Sequence, residues 1–287
     1  MRSVGKGLVT KHYSVYAVIC VVLVTGAASA AGEKDAAYYY HVGDWKKAEP
    51  QILLSLVRAQ KGERERALQE LEAMLKKSPD DYRLLTAIGV IRSRTDAKSA
   101  LSYFSKAVEK NPDYFPAWFQ IGLIYEEEES FEQATKAYRR AVEANPLSAQ
   151  AHNNLGYSYK ERHFYAYAVE EYLKAIELEP DNAGYHYNIG NAYTHQEKIG
   201  DAYQAYKKAL ELDPTFAKAH YNMARTYLRM DMVREAIDEF NLYLKYGDRT
   251  VFSFVAPKVS VESEIEQLEY YLKYNPPQKP ASGQITR

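Results

Sequence analysis

Residues 149–182 read AQAHNNLGYSYKERHFYAYAVEEYLKAIELEPDN, and residues 183–216 read AGYHYNIGNAYTHQEKIGDAYQAYKKALELDPTF. The two segments are equally long, and each carries a proline third from its end. The same 34-residue step extends beyond the two segments and relates three sets of residues. They are Pro112, Pro146, Pro180 and Pro214; Ala134, Ala168, Ala202 and Ala236; and Tyr125, Tyr159, Tyr193 and Tyr227. Three ladders with one period predict a chain built from repeated structural units.

The spacing inside one unit predicts a pair of helices. With the proline numbered as position 32, positions 4, 7, 8 and 11 lie on one stripe of a first helix, and positions 20, 24 and 27 lie on one stripe of a second. Small residues at positions 8 and 20 allow the helices to approach closely, and large residues at 11 and 24 fill the space beside them. The proline stops the second helix. Each hairpin leaves an apolar face that the next hairpin must cover.

The unit 115–148 resembles the tetratricopeptide repeat at eight signature positions, which hold Trp118, Ile121, Gly122, Tyr125, Ala134, Tyr138, Ala141 and Pro146. The resemblance is equally specific in the next two units and weaker in the flanking ones. It implies an all-α fold, a right-handed superhelical α-solenoid of about six helical hairpins. The repeats also resemble those of O-linked N-acetylglucosamine transferases, but the 37 residues after position 250 do not accommodate a sugar-transfer domain.

These patterns divide the chain into a leader, an array and a cap. The array is predicted over 48–250, with units 48–81, 82–114, 115–148, 149–182, 183–216 and 217–250. A linker and a capping helix follow over 251–274, where Ser263 and Glu266 are a candidate capping box and one apolar stripe is formed by Val261, Ile265, Leu268 and Leu272. The remaining predicted segments are a signal peptide at 1–30, an amino-terminal segment at 31–47 and a flexible tail at 275–287.

The first 30 residues have the pattern of a secretory signal. A basic start is followed by an apolar run from Val15 to Val24, and then by Ala28, Ser29 and Ala30, which is typical of a cleaved leader. The sequence therefore predicts export to the periplasm or outer envelope of a bacterium. The alternative is an uncleaved anchor in the inner membrane, because the charge-free stretch 13–32 is about long enough to span a bilayer.

Composition and motifs disfavour several classes of function. The chain has 37 basic and 38 acidic residues, so the electrostatic signature of nucleic-acid binding is missing. Its one cysteine, Cys20, falls in the leader. Phosphate-binding loops and hydrolase motifs are not found, and we predict neither a cofactor nor an enzymatic activity.

Three histidines recur at position 4, in the units that begin at 149, 183 and 217. They are His152, His186 and His220. Stacked helices lie about 8–10 Å apart, whereas ligands of one zinc ion lie about 2 Å from it. We therefore expect these histidines to pack or to form hydrogen bonds, and we predict no metal site.

The resemblance implies that positions 2, 5, 6, 9, 12 and 13 of the first helices line a peptide-binding groove. Here position 6 carries an amide in four successive units, and aromatic residues accompany it. Amides donate and accept, so a row of them can hold the backbone of an extended segment without being needed for hairpin packing. The predicted site comprises Phe119, Gln120, Asn153, Asn154, Tyr157, Tyr187, Asn188, Asn191, Tyr221, Asn222 and Arg225.

The sequence thus predicts an envelope scaffold or adaptor that binds a protein or peptide, with possible peripheral membrane association. Three alternatives stay open for the same residues. The asparagines could form hydrogen bonds between helices, and Tyr157, Tyr187 and Tyr221 could stack on cell-wall glycan. A partner's terminal carboxylate could instead be held by the set Lys218, Asn188, Asn222, Arg225 and Arg229.

The leader hypothesis predicts the first residue of the exported protein. Amino-terminal sequencing should begin at Ala31, because the small residues Ala28 and Ala30 occupy the positions that signal peptidase requires. Membrane-bound protein that retains Met1 would instead establish the uncleaved anchor.

Overall fold

A computed structural model of the chain describes residues 50–247 and 256–275. Thirteen helices and no strand occur within these ranges. The described residues divide into two compact units, with the boundary between residues 164 and 165. The predicted leader, amino-terminal segment and most of the tail lie outside the described residues. Within the described ranges, no helix has the length and apolar character required to cross a membrane.

The first unit contains three helical hairpins and one further first helix. Its helices are α1 (Pro50–Gln60), α2 (Arg64–Lys77), α3 (Tyr82–Ser93), α4 (Ala97–Lys110), α5 (Phe115–Glu127), α6 (Phe131–Ala144) and α7 (Ala149–Glu161). Each helix packs on the next in the chain. The core is formed by buried apolar residues of consecutive hairpins.

The second unit begins with a second helix and ends with a single helix. Its helices are α8 (Tyr165–Leu178), α9 (Ala183–His195), α10 (Ile199–Leu212), α11 (Ala217–Arg229), α12 (Val233–Tyr246) and α13 (Lys258–Tyr274). Consecutive helices pack pairwise here as well. The all-α repeat fold predicted from the 34-residue period is therefore confirmed.

In three of the described hairpins, a glycine of the first helix is in direct contact with an aromatic ring of the second. Gly190 at position 8 faces Tyr206 at position 24, and a Cβ added to the glycine would lie 2.6 Å from Cε1 of the ring. Gly89 and Gly122 face the rings of Phe104 and Tyr138 in the same way. The large residue at position 24 thus fits onto the glycine itself, because a side chain there would occupy the space of the ring.

The turns between first and second helices share a backbone device that sequence reasoning missed. Glu129, His163, Glu197 and Asp231 have φ between 55° and 63°, and all fall at position 15. The residue after each donates its N–H to the carbonyl of the position-11 tyrosine, as in Ser130 N to Tyr125 O at 2.8 Å. This hydrogen bond requires that the backbone at position 15 adopt the left-handed conformation. That conformation costs about 1–2 kcal/mol for residues other than glycine.

The carboxy-terminal helix α13 is a cap, as predicted. Val261 and Ile265 are buried at 1% and 8% exposure, and Leu268 and Leu272 pack beside them against the last hairpin. The predicted start was wrong. The helix begins at Lys258, with Pro257 as its N-cap, so Ser263 lies inside it and is not its cap. A proline N-cap leaves no side-chain oxygen to mark the start in sequence.

Gly190→Ala and Gly200→Ala form a matched pair that tests the glycine–ring contact. Gly190→Ala should lower the free energy of unfolding by about 1–3 kcal/mol, as overpacking does, because the Tyr206 hydroxyl is also held by Asn191 and Thr194. Gly200 has no neighbour within 4 Å of an added Cβ, so Gly200→Ala should stabilise the protein by up to about 1 kcal/mol. Thermal or urea unfolding measures both changes. Equal effects of the two substitutions would contradict the contact.

Candidate functional site

The candidate site lies on the first helices, on a stripe formed by positions 2, 6, 9 and 13. These positions follow steps of four, three and four residues, which places them on one helix face. From α5 to α11, the residues at positions 6 and 9 are half-buried or exposed, whereas those at positions 3, 7 and 8 are buried. We call this stripe the groove stripe of each first helix.

In the first unit, the groove stripe of α7 takes part in a hydrogen-bond chain. Asn153 Nδ2 donates to Asn154 Oδ1 at 3.1 Å, and Asn154 Nδ2 donates to the Tyr138 hydroxyl at 3.4 Å. That hydroxyl donates in turn to Glu126 Oε2 at 2.7 Å. Asn154 therefore links its helix to the preceding hairpin.

The two aromatic residues predicted for the first unit have different environments. Phe119 is 7% exposed, with its ring 5.5 Å from that of Phe115 and 5.8 Å from that of Tyr138. It belongs to the packing core and offers little surface to a partner, because ring contacts with both neighbours cover it. Tyr157 is half-buried beside Lys160, whose Nζ lies 4.7 Å from its ring, and burial raises the pKa of its phenol. Gln120 is half-buried on α5.

In the second unit, an amide bridge connects the groove stripes of α9 and α11. Asn222 Nδ2 donates to Asn191 Oδ1 at 2.7 Å and approaches the Tyr187 hydroxyl at 3.4 Å. Asn191 Oδ1 also accepts from the Tyr206 hydroxyl at 2.8 Å. Position 6 of one first helix thus bonds to position 9 of the preceding one. Asn188 lies half-buried on the same face.

Asn154 and Asn222, both at position 6, therefore contribute to the fold. Asn154 and Asn222 each donate to a residue of the preceding hairpin. These are the hydrogen bonds between helices that the sequence left open as an alternative role for the asparagines. Each such bond contributes about 0.5–1.5 kcal/mol, so replacing either asparagine affects stability as well as any binding.

The rings of Tyr187 and Tyr221 are engaged inside the second unit. Tyr187 lies 4.9 Å from the ring of Phe216, and Tyr221 lies 5.2 Å from that of Tyr243. Burial raises the pKa of the Tyr187 phenol. A stacking platform for a sugar needs a free ring face, and these internal ring contacts reduce the area available. No observation on the described residues favours glycan as the ligand.

Arg225, at position 9 of α11, forms an ion pair with Glu264 of α13 at 2.7 Å. Glu264 was missed in the sequence because no 34-residue step leads to it. The Glu264–Arg225 pair repeats the bond between position 6 and position 9 that Asn222 and Asn191 form. On the same stripe of α11, Lys218 is half-buried and Arg229 is exposed.

The side chain at position 4 forms the same hydrogen bond in four successive repeats. Its acceptor is the backbone carbonyl of the proline near the end of the preceding repeat. Trp118 Nε1 donates to Pro112 O at 2.7 Å, and Nε2 of His152, His186 and His220 lies 2.9–3.0 Å from the carbonyls of Pro146, Pro180 and Pro214. No group of three or more histidine, cysteine, aspartate or glutamate side chains in the described ranges could hold a metal ion. The histidines thus contribute to packing between consecutive 34-residue repeats.

Both ring nitrogens of His220 face oxygen atoms. Nδ1 lies 2.6 Å from Glu239 Oε2, and Nε2 lies 2.9 Å from Pro214 O. Burial lowers its pKa, but the hydrogen bonds to Glu239 and Pro214 and the charges of Glu239 and Asp213 raise it, and the net pKa lies above the ordinary 6.5. Both nitrogens can donate only in the protonated ring.

Comparison with known proteins gives the same repeat. A family model described as "TPR repeat" matches residues 122–162, 165–196 and 190–231. YrrB, a TPR protein with an unusual peptide-binding site, is 17% identical with a TM-score of 0.58, and the match covers 69% of this chain and 97% of YrrB. MamA protein is 20% identical with a TM-score of 0.56, and the match covers 62% of this chain and 98% of MamA. MamA 41-end from Desulfovibrio magneticus RS-1 is 23% identical with a TM-score of 0.53, and the match covers 61% of this chain and 98% of that one.

No curated protein matched the chain. The helical hairpins and their half-exposed groove stripes define an α-helical repeat protein. The chain carries tetratricopeptide repeats, as the family match over 122–231 shows. At these identities the solved structures bear on the fold alone.

The His220–Glu239 pair should make stability depend on pH. The folded-state pKa of His220 is raised, so its stabilisation is complete below about pH 6.5 and is lost as pH rises through the folded pKa. Glu239→Gln should destabilise the protein by about 1.5–3 kcal/mol at pH 6, which is typical of hydrogen bonds to charged groups, and by less at pH 9. The measurement is urea unfolding at both values. His186→Gln is the control, and a Glu239→Gln effect that does not change with pH would rule the pair out.

Proposed function

We propose that this chain is a non-enzymatic scaffold that binds an extended protein segment along the groove stripes of its first helices. The observation that carries the proposal is the difference in burial along those helices. Positions 3, 7 and 8 are buried, while positions 6 and 9 are at least partly accessible and carry polar or aromatic side chains except at Leu123. Amides there add little hydrophobic stabilisation, so their recurrence every 34 residues favours recognition beyond packing.

The hydrogen-bonding capacity of these amides supports a backbone ligand. An asparagine side chain has two N–H donors and a carbonyl acceptor. Asn222 uses N–H groups toward Asn191 and Tyr187, which leaves its carbonyl to accept from a backbone N–H. The peptide-binding site of YrrB, which is also a TPR protein, supports the same class of ligand. Tetratricopeptide arrays generally act as scaffolds, which supports the absence of an enzymatic role.

The envelope location is part of the same proposal. It rests on the leader pattern of residues 1–30, which lies outside the described residues. A bacterial periplasm or outer envelope would supply protein partners to an exported scaffold. Peripheral association with a membrane stays a prediction from sequence.

Site-specific photo-crosslinking in the living cell tests the proposal and captures the partner in the same experiment. A photoreactive amino acid placed at Gln120 or Asn188, on the groove stripes, should give crosslinks to a protein segment identified by mass spectrometry. The controls are Lys208 and Leu173, exposed positions on second helices. Crosslinks from the control positions alone would place the partner elsewhere and contradict the proposal.

Binding of the crosslinked segment can then be quantified. Asn188→Ala should weaken it about two- to tenfold, since one lost hydrogen bond is worth about 0.5–1.5 kcal/mol. Leu173→Ala should leave the affinity unchanged. Isothermal titration calorimetry measures the affinity, and thermal unfolding of each variant shows whether the fold is retained.

A further inference from the structure

The capping helix α13 has the side-chain organisation of a seventh first helix. Glu264 bonds to Arg225 at position 9 of α11, just as Asn222 at position 6 of α11 bonds to Asn191 at position 9 of α9. Glu264 therefore takes position 6, which gives Val261 position 3 and Ile265 position 7. Both are buried, as the equivalent residues of α5, α7, α9 and α11 are.

Two stripes of α13 are explained by capping. The stripe of Val261, Ile265, Leu268 and Leu272 covers the last hairpin. The stripe that would face a second helix holds Glu262, Glu266 and Glu269, and all three are exposed. Charged residues at these positions suit a terminal helix whose outer face is in water.

The third stripe is not explained by capping. It holds Ser260, Glu264, Gln267, Tyr271 and Tyr274, with Tyr270 beside it. Tyr270, Tyr271 and Tyr274 are 64%, 48% and 61% exposed, and the rings of Tyr270 and Tyr274 lie 4.6 Å apart. A solvating cap gains nothing from three exposed aromatic rings, whereas clustered exposed aromatic area is typical of interaction sites.

The neighbouring groove stripe of α11 is basic. It holds Lys218, Asn222, Arg225 and Arg229. Among residues 50–247 and 256–275, Arg225 is the only one of these three cations with an ion-pair partner, and that partner is Glu264. The side chains of Arg225 and Glu264 are 53% and 29% exposed, so solvent and ligands can reach the pair. Across the two stripes, three cations face one carboxylate.

We propose that α13 is a wall of the binding site as well as a cap, and that the stripes of α11 and α13 together take an acidic segment carrying a bulky apolar residue. The proposal rests on the proposed function. The apolar residue contacts Tyr270 and Tyr271, and the acidic side chains pair with Arg229, Lys218 and Arg225. Glu264 competes with the ligand for Arg225, so it limits the affinity for acidic segments.

Selection from a random 12-residue peptide library displayed on phage, against the full chain, tests this assignment. The selected peptides should be enriched in Asp and Glu and contain an aromatic or large aliphatic residue. Their affinity should fall at least tenfold with Tyr270→Ser/Tyr271→Ser and several-fold with Arg229→Gln, and it should decrease with salt. Tyr167→Ser and Arg234→Gln, which are exposed on second helices, are the matched controls and should leave it unchanged.

Glu264→Gln separates this binding role from a structural one. It should raise the affinity for the acidic peptides several-fold because it frees Arg225, whereas a purely structural ion pair would leave or lower it. Peptides without acidic enrichment, or peptides insensitive to the tyrosine and arginine variants, would overturn the role of α13 and leave the proposed scaffold function intact. A library that yields no binding peptide would overturn both.

Discussion

Much of the structure depends on the fit of an aromatic ring onto a glycine, a contact that recurs in three of the described hairpins. Gly89, Gly122 and Gly190 leave the space that the rings of Phe104, Tyr138 and Tyr206 occupy. The contact fixes both the distance between the two helices and their rotation. Once that rotation is set, one stripe of the first helix must face the next hairpin and another must face solvent. The groove stripe is therefore a consequence of core packing, although its chemistry is free to vary.

Polar side chains then link one hairpin to the next. The position-4 side chains bond to the proline carbonyl of the preceding unit, and Asn222 bonds to Asn191. The same asparagines that a partner would meet thus also hold neighbouring helices in register. Such double use keeps amides in fixed rotamers, which lowers the entropy cost of binding.

The end of the array follows the same geometry with different chemistry. On α13, glutamates replace the residues that would receive a second helix, and Glu264 replaces the usual amide at position 6. The cap thereby satisfies the apolar face of the last hairpin and brings a carboxylate to Arg225.

The sequence by itself determined the all-α hairpin fold and the face to which Gln120, Asn154, Asn188 and Asn222 belong, because equivalent residues of consecutive repeats recur at a 34-residue step. Only the tertiary structure decided how each side chain on that face is used. Phe119 is buried because Phe115 and Tyr138 surround it, and Glu264 meets Arg225 because α13 packs on the last hairpin in the register of a first helix. Periodicity predicts positions on a helix, but partners depend on the rotation and contact of whole helices, which no local pattern records.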